Sequence, residues 1–129
     1  MTAAYVESSA LAKLVFDEDG SGALSEAIRA HDPVVSSDLT TVEVARAARR
    51  ARGDVGLAQA RAAMLRVSTM AINRTVVDLA ATLEPLAPRS LDAIHVATAL
   101  VLQEDVVFYS YDARTLDAAQ SAGLMTASP

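Results

Sequence analysis

Short apolar runs of about five residues alternate along this chain with longer stretches whose apolar positions recur at helical spacing. Residues 3–6 (AAYV) read as a strand and 9–18 (SALAKLVFDE) as a helix. A loop and second helix follow over 20–31, then a strand at 33–37 (PVVSS). Residues 40–52 (TTVEVARAARRAR) form a strong helical pattern that Gly53 is expected to stop, as glycine commonly does at a helix end. The spacing predicts another helix over 57–67, a weaker strand at 69–73 and a helix over 75–84 that ends before Pro85. Residues 90–103 (SLDAIHVATALVLQ) are apolar on nearly every side, the pattern of a buried central helix. A strand at 106–110 (VVFYS), a helix at 113–122 before Gly123 and a last strand at 124–127 complete the chain. Strands separated by helices imply a parallel sheet covered on both faces. The expectation is a three-layer α/β/α fold, one domain over residues 1–129, without repeats or linkers.

Composition narrows the class. The hydrophobic fraction of 52% in 129 residues supports one packed core, and the aromatic fraction of 4% makes it a core of Ala, Val and Leu. With no cysteine there is no disulfide framework, thiolate metal site or thiol nucleophile. The N-terminus lacks the basic flank and apolar run of a signal peptide. No run reaches the roughly 18 apolar residues of a membrane span. A soluble, cytoplasmic protein is therefore expected, with no membrane partner. The net charge of −5 argues against a nonspecific nucleic-acid coat. Yet Arg46, Arg49, Arg50, Arg52, Arg61 and Arg66 concentrate basic charge in one stretch, enough to hold a polyanion locally.

In open parallel sheets ligands bind beyond the carboxyl ends of the strands, which draws attention to four acids. Glu7 follows the first strand, Glu43 opens the helix after the second, Asp92 lies in the first turn of the central helix and Asp112 follows the strand at 106–110. Each has a structural reading. Thr40 and Glu43 fit a capping box, Asp92 suits the positive helix end behind a Ser90 cap, and Asp112 suits an N-cap. Glu7 fits least well, since glutamate is not a favoured cap. Taken together, clustered carboxylates would repel one another unless a cation neutralised them. Oxygen ligands without His or Cys suit Mg²⁺ or Mn²⁺, and such ions can drive phosphodiester cleavage.

The motifs containing these acids resemble those of PIN-domain ribonucleases, particularly the VapC toxins of prokaryotic toxin–antitoxin pairs. YVESSALAKL is similar to the family's opening motif, LTTVEVARAARR to its second, RSLDAIHVATAL to its third, and VFYSYDARTLDAAQSAGL to its fourth. They occur in family order and span nearly the whole chain. The resemblance implies an Mg²⁺-dependent endoribonuclease, with Mn²⁺ as a substitute, neutralised by a VapB-type antitoxin. It assigns Glu7, Glu43, Asp92 and Asp112 to catalysis and metal binding, with Ser9 and Ser110 orienting carboxylates or water behind them. Here the chain departs from the family: Glu7 stands where the family carries Asp, one methylene shorter. That departure leaves open a second reading, a weakened module that binds RNA or antitoxin without turnover.

Other signals carry less. Residues 17–28 imitate a calcium loop, but Ile28 stands where the bidentate glutamate belongs. His95, one turn after Asp92, is read as a buried hydrogen-bonded histidine. Arg46 shares a helical face with Glu43; it and Arg89, beside the third motif, are candidate RNA contacts. The alternative for Arg46 is an ion pair with Glu43 worth only ~0.2–0.5 kcal/mol. By resemblance, the antitoxin is expected in a hydrophobic groove around Leu11, Leu14, Val15 and Leu24, and the toxin is expected to form a homodimer through other helices. Sequence-specific DNA binding is not expected of the chain itself, given its net charge of −5 and no evident helix-turn-helix.

Overall fold

The computed structural model describes residues 2–129; Met1, included in the single-domain expectation, lies outside the described residues. In chain order the elements are β1 (Ala3–Val6), α1 (Ser8–Val15), α2 (Ser21–Ile28), β2 (Val34–Ser37), α3 (Asp38–Met64), β3 (Ser68–Met70), α4 (Arg74–Ala81), α5 (Ser90–Leu100), β4 (Val106–Tyr109), α6 (Ala113–Ser121) and β5 (Met125–Ala127). The five strands form one sheet in the order β3-β2-β1-β4-β5, and every pairing is parallel. Helices cover both faces, giving the α/β/α layering that the alternating pattern implies.

β1 sits at the centre and explains why both faces are apolar. Its residues alternate in direction. Ala4 and Val6 enter a core with Leu11, Leu24, Val44 and Ala48 on one side. Ala3 and Tyr5 enter a second core with Val96, Phe108, Ala118 and Ala119 on the other. The register sets Tyr5 beside Phe108, and their rings stack with centroids 5.1 Å apart. α5 buries Ala93, His95, Val96, Ala97, Thr98 and Ala99, as its all-round apolar pattern predicts.

The helix end expected at Gly53 is present. Arg52 and Gly53 leave helical geometry, Gly53 at φ 60 and ψ −141, so α3 is two helices joined at a kink, the first stopping where the sequence predicts and the second starting earlier than residue 57. The halves lie side by side, since Thr41, Val42 and Ala45 line one cleft with Ala60, Arg61, Met64 and Leu65. Their close approach depends on Gly56. A Cβ there would meet the Ala48 carbonyl oxygen at 2.1 Å and its carbon at 2.8 Å. Because the obstacle is backbone, Gly56→Ala is expected to destabilise the fold by about 1–3 kcal/mol, the usual range for overpacking. Chemical denaturation would check this; an unchanged midpoint would show that the halves part freely.

The groove expected around Leu11, Leu14, Val15 and Leu24 is also corrected. Leu11 and Leu24 have no exposed surface, because they supply the core between α1, α2 and the sheet, and a partner cannot reach them. Leu14 and Val15 do line an open groove with Lys13, Phe16, Ser25 and Arg66. No helix among the described residues is long and apolar enough to cross a membrane.

Candidate active site at the carboxyl edge of the sheet

With all strands parallel, β1, β2 and β4 end at the same edge. The acids that follow them are carried there by the chain direction alone. Glu7 leaves β1 directly and is 5% exposed. Its placement corrects the view that glutamate fits poorly as a cap: Glu7 is the N-cap of α1, and its Oε1 accepts the Ser9 backbone N–H at 3.1 Å. The same oxygen accepts the Ser9 hydroxyl and, at 2.6 Å, the Ser110 hydroxyl from the end of β4. Ser9 Oγ in turn accepts the Tyr111 N–H at 2.8 Å, and Ser110 Oγ accepts the Asp112 N–H at 3.1 Å. The two serines thus join the loop after β1 to the loop after β4.

Asp112 is the N-cap of α6, accepting the Arg114 N–H at 2.9 Å. Asp92, in the first turn of α5, accepts the Thr115 hydroxyl from α6 at 3.0 Å. Its other oxygen accepts the Arg89 N–H at 3.3 Å. Arg89, not Ser90, is therefore the helix cap, and Asp92 bonds back to it. Thr115, which the sequence reading missed, lies one turn beyond Asp112 and faces back toward α5.

Glu43 differs most from its expected local role. The helix begins earlier, with Ser37 as N-cap accepting the Leu39 N–H. The Thr40 hydroxyl instead bonds the buried Ser36 hydroxyl at 2.8 Å, Ser36 giving its own proton to the Val6 carbonyl at 2.6 Å, so no Thr40–Glu43 capping box forms. Glu43 Oε1 accepts the Ser8 hydroxyl at 2.7 Å and meets His95 Nε2 at 2.6 Å. His95 Nδ1 lies 2.6 Å from the Tyr5 hydroxyl. Burial alone would raise the Glu43 carboxyl, but hydrogen bonds from His95 and Ser8 prevail and hold it below the ordinary glutamate value. Its stabilising contribution is present above the ordinary carboxyl pKa and fades as pH falls through the depressed one. His95 is buried and hydrogen-bonded, as the sequence suggests, but it is also bonded directly to a site acid. Its position one helical turn from Asp92 was the available signal.

These contacts leave a recognisable donor set. Among the described residues, no hydrogen bond reaches the second oxygen of Glu7, Glu43 or Asp112. No side-chain N or O atom buried out of solvent lacks a partner among those residues, so the free oxygen of the largely buried Glu7 reaches solvent. Among the described residues no three His, Asp or Glu side chains stand close enough to form a ready-made metal cage. The acids stand along one edge as separate carboxylates, Glu7 and Asp112 tied through Ser110, Asp92 held by Thr115, and Glu43 held by Ser8 and His95. Their chemistry, carboxylate oxygens only, fits a hard divalent cation. Arg46, Arg49 and Arg50 line an open hollow on α3 beyond Glu43. Arg46 and Arg89 are exposed, and among the described residues neither forms an ion pair; Glu43 is paired with His95 instead.

Residues 4–120 match the PIN domain family. Ribonuclease VapC46 of Mycobacterium tuberculosis is 38% identical, over 100% of this chain and 99% of its own length. Ribonuclease VapC47 of the same species is 32% identical over 97% of this chain and 96% of its own. Among solved structures, M. tuberculosis VapC20, described as a Sarcin-Ricin loop cleaving toxin, superposes with a TM-score of 0.75 at 18% identity, over 98% of this chain and 99% of that one. VapBC2 from Rickettsia felis, bound to a promoter DNA fragment, superposes at 0.77 with 7% identity, over 98% of each chain; likeness at that level concerns the fold. A doubly covered parallel sheet, a family match over residues 4–120 and 38% identity along the whole chain to a named ribonuclease make the chain a member of the PIN-domain family, in its VapC ribonuclease branch.

Proposed function

We propose that this VapC-type endoribonuclease uses Glu7, Glu43, Asp92 and Asp112 to hold Mg²⁺, with Mn²⁺ as a substitute, and cleaves RNA by attack of water on phosphorus. The observation that carries the proposal is the hydrogen-bonded edge just described, where Glu7, Glu43 and Asp112 each keep one oxygen without a protein donor. When bound, such an ion supplies a Lewis acid and lowers the pKa of water. The chain's own contribution is positional. Ser9 and Ser110 fix one oxygen of Glu7, Ser8 and His95 fix one of Glu43, and the α6 backbone fixes one of Asp112. Asp92 shares its oxygens between Thr115 and Arg89 and keeps further lone pairs. Arg46 and Arg89, exposed and without ion pairs among the described residues, are the proposed contacts to RNA phosphates.

The proposed partner is a VapB-type antitoxin seated on the groove at Leu14, Val15 and Phe16, with the toxin itself a cytoplasmic homodimer of single-domain chains. Sequence-specific DNA binding would belong to the antitoxin. VapBC structures bound to DNA are known from Salmonella typhimurium and Rickettsia felis.

The test is cleavage of total cellular RNA by the purified chain with Mg²⁺, with Mn²⁺ or with chelator, followed by mapping of the cut ends. Cleavage with either metal and none with chelator is expected. Undiminished cleavage in chelator would overturn the metal assignment. RNA binding without turnover in every metal would favour the weakened module instead, a reading to which the ribonuclease relatives lend no support.

A further inference from the structure

We propose that Tyr5 and His95 are positioning residues for the cleavage reaction, a buried relay that holds Glu43 with one oxygen engaged and the other presented. The proposal rests on the reading of Glu43 as a site acid. Three elements distant in sequence meet in a line: Tyr5 from β1, His95 from α5 and Glu43 from α3. The Tyr5 hydroxyl lies 2.6 Å from His95 Nδ1, and His95 Nε2 lies 2.6 Å from Glu43 Oε1. Tyr5 and His95 are 0% and 2% exposed.

The chemistry of the three groups orders the protons. A carboxylate only accepts, so His95 Nε2 must carry hydrogen. In the neutral imidazole Nδ1 is then an acceptor, which requires the Tyr5 O–H to donate. Burial raises the Tyr5 phenol far above its ordinary value, so it keeps its proton at any physiological pH. Tyr5 cannot easily turn away, because its ring is stacked on Phe108 at an interplanar angle of 12°. An imidazole held from behind in this manner has one orientation and one tautomer, the arrangement by which outer residues aim a ligating group. Ser8 adds a second donor to the same Glu43 oxygen at 2.7 Å, and the other Glu43 oxygen is left for the site. A core tyrosine needed only for packing would require no hydroxyl; phenylalanine would fill the same stack.

Tyr5→Phe isolates that hydroxyl. Against an RNA substrate it is expected to lower kcat by about 10- to 100-fold with KM unchanged, and to weaken Mn²⁺ binding to the free protein measured by calorimetry. His95→Gln, which keeps an N–H donor near Nε2, is expected to retain more activity than His95→Ala. In the Glu43→Ala background Tyr5→Phe should no longer affect Mn²⁺ affinity, since coupled residues are not additive. Long-range nitrogen–proton correlation at one fixed pH should find His95 protonated at Nε2. Wild-type kcat and Mn²⁺ affinity in Tyr5→Phe, an effect that persists fully without Glu43, or an Nδ1–H tautomer would each overturn the relay. If Glu43→Ala itself cleaves at the wild-type rate, the site reading falls and takes the relay with it. If Glu43→Ala is inactive while Tyr5→Phe is unaffected, the relay alone is wrong.

Discussion

Glu7→Gln is expected to reduce RNA cleavage by about 100- to 1,000-fold, the loss of several kcal/mol of charge stabilisation at a metal-assisted step. The fold should survive. The amide oxygen can take the place of Oε1 and accept from the Ser9 N–H, the Ser9 hydroxyl and the Ser110 hydroxyl. The amide nitrogen then occupies the second position, which has no donor from the protein. Hydrogen bonds to a neutral acceptor are weaker than those to a carboxylate, so a loss of about 1 kcal/mol and a few degrees in Tm is expected. Kinetics beside a thermal melt separate the two effects; a stable Glu7→Gln variant with full activity would remove Glu7 from the site. Glu7→Asp should behave differently. Aspartate is a strong N-cap, so the bond from the Ser9 N–H can persist, and cleavage is expected to equal or exceed the parent. Abolished cleavage would instead mean that the longer side chain is adapted to this frame, needed to reach Ser110 across the loop.

Asp92→Asn should also cost about two to three orders of magnitude in cleavage, but with a clearer effect on stability. Asp92 accepts from the Thr115 hydroxyl with one oxygen and from the Arg89 N–H with the other. Asparagine has one acceptor oxygen, so an N–H₂ must face one of these donors. It also gives up a negative charge in the first turn of α5, where the helix dipole favours one. Together these changes are expected to lower stability by about 1–2 kcal/mol. Activity must be compared well below the melting range. Full activity in the folded variant would exclude Asp92 from the metal site.

What local sequence determined here is mostly periodic. The apolar runs of β1, β2 and β4 and the helical spacing of α1, α5 and α6 are set by burial on one or two faces. That signal is written in consecutive residues. Because every strand is parallel, the order of elements also brings Glu7, Glu43, Asp92 and Asp112 toward one edge without any knowledge of side-chain contacts. Capping was less legible. The T-x-x-E spacing at Thr40 and Glu43 matched a motif, yet Ser37 begins the helix and Thr40 is taken by Ser36. Glutamate looked ill-suited at position 7, yet serines at positions 9 and 110 make it a satisfied cap. The helix end at Gly53 was legible because its φ of 60 is one that glycine adopts freely, whereas the close approach of Gly56 to the Ala48 backbone, which lets the two helices lie side by side, was not. The same limit applies to the site. Ser8, His95 and Tyr5 carry no local mark of a shared role, since the 35 positions between Ser8 and Glu43 and the 90 between Tyr5 and His95 are closed only by tertiary folding. Periodicity chooses elements because burial acts residue by residue, whereas a hydrogen bond between distant residues exists only once the sheet has brought its ends together.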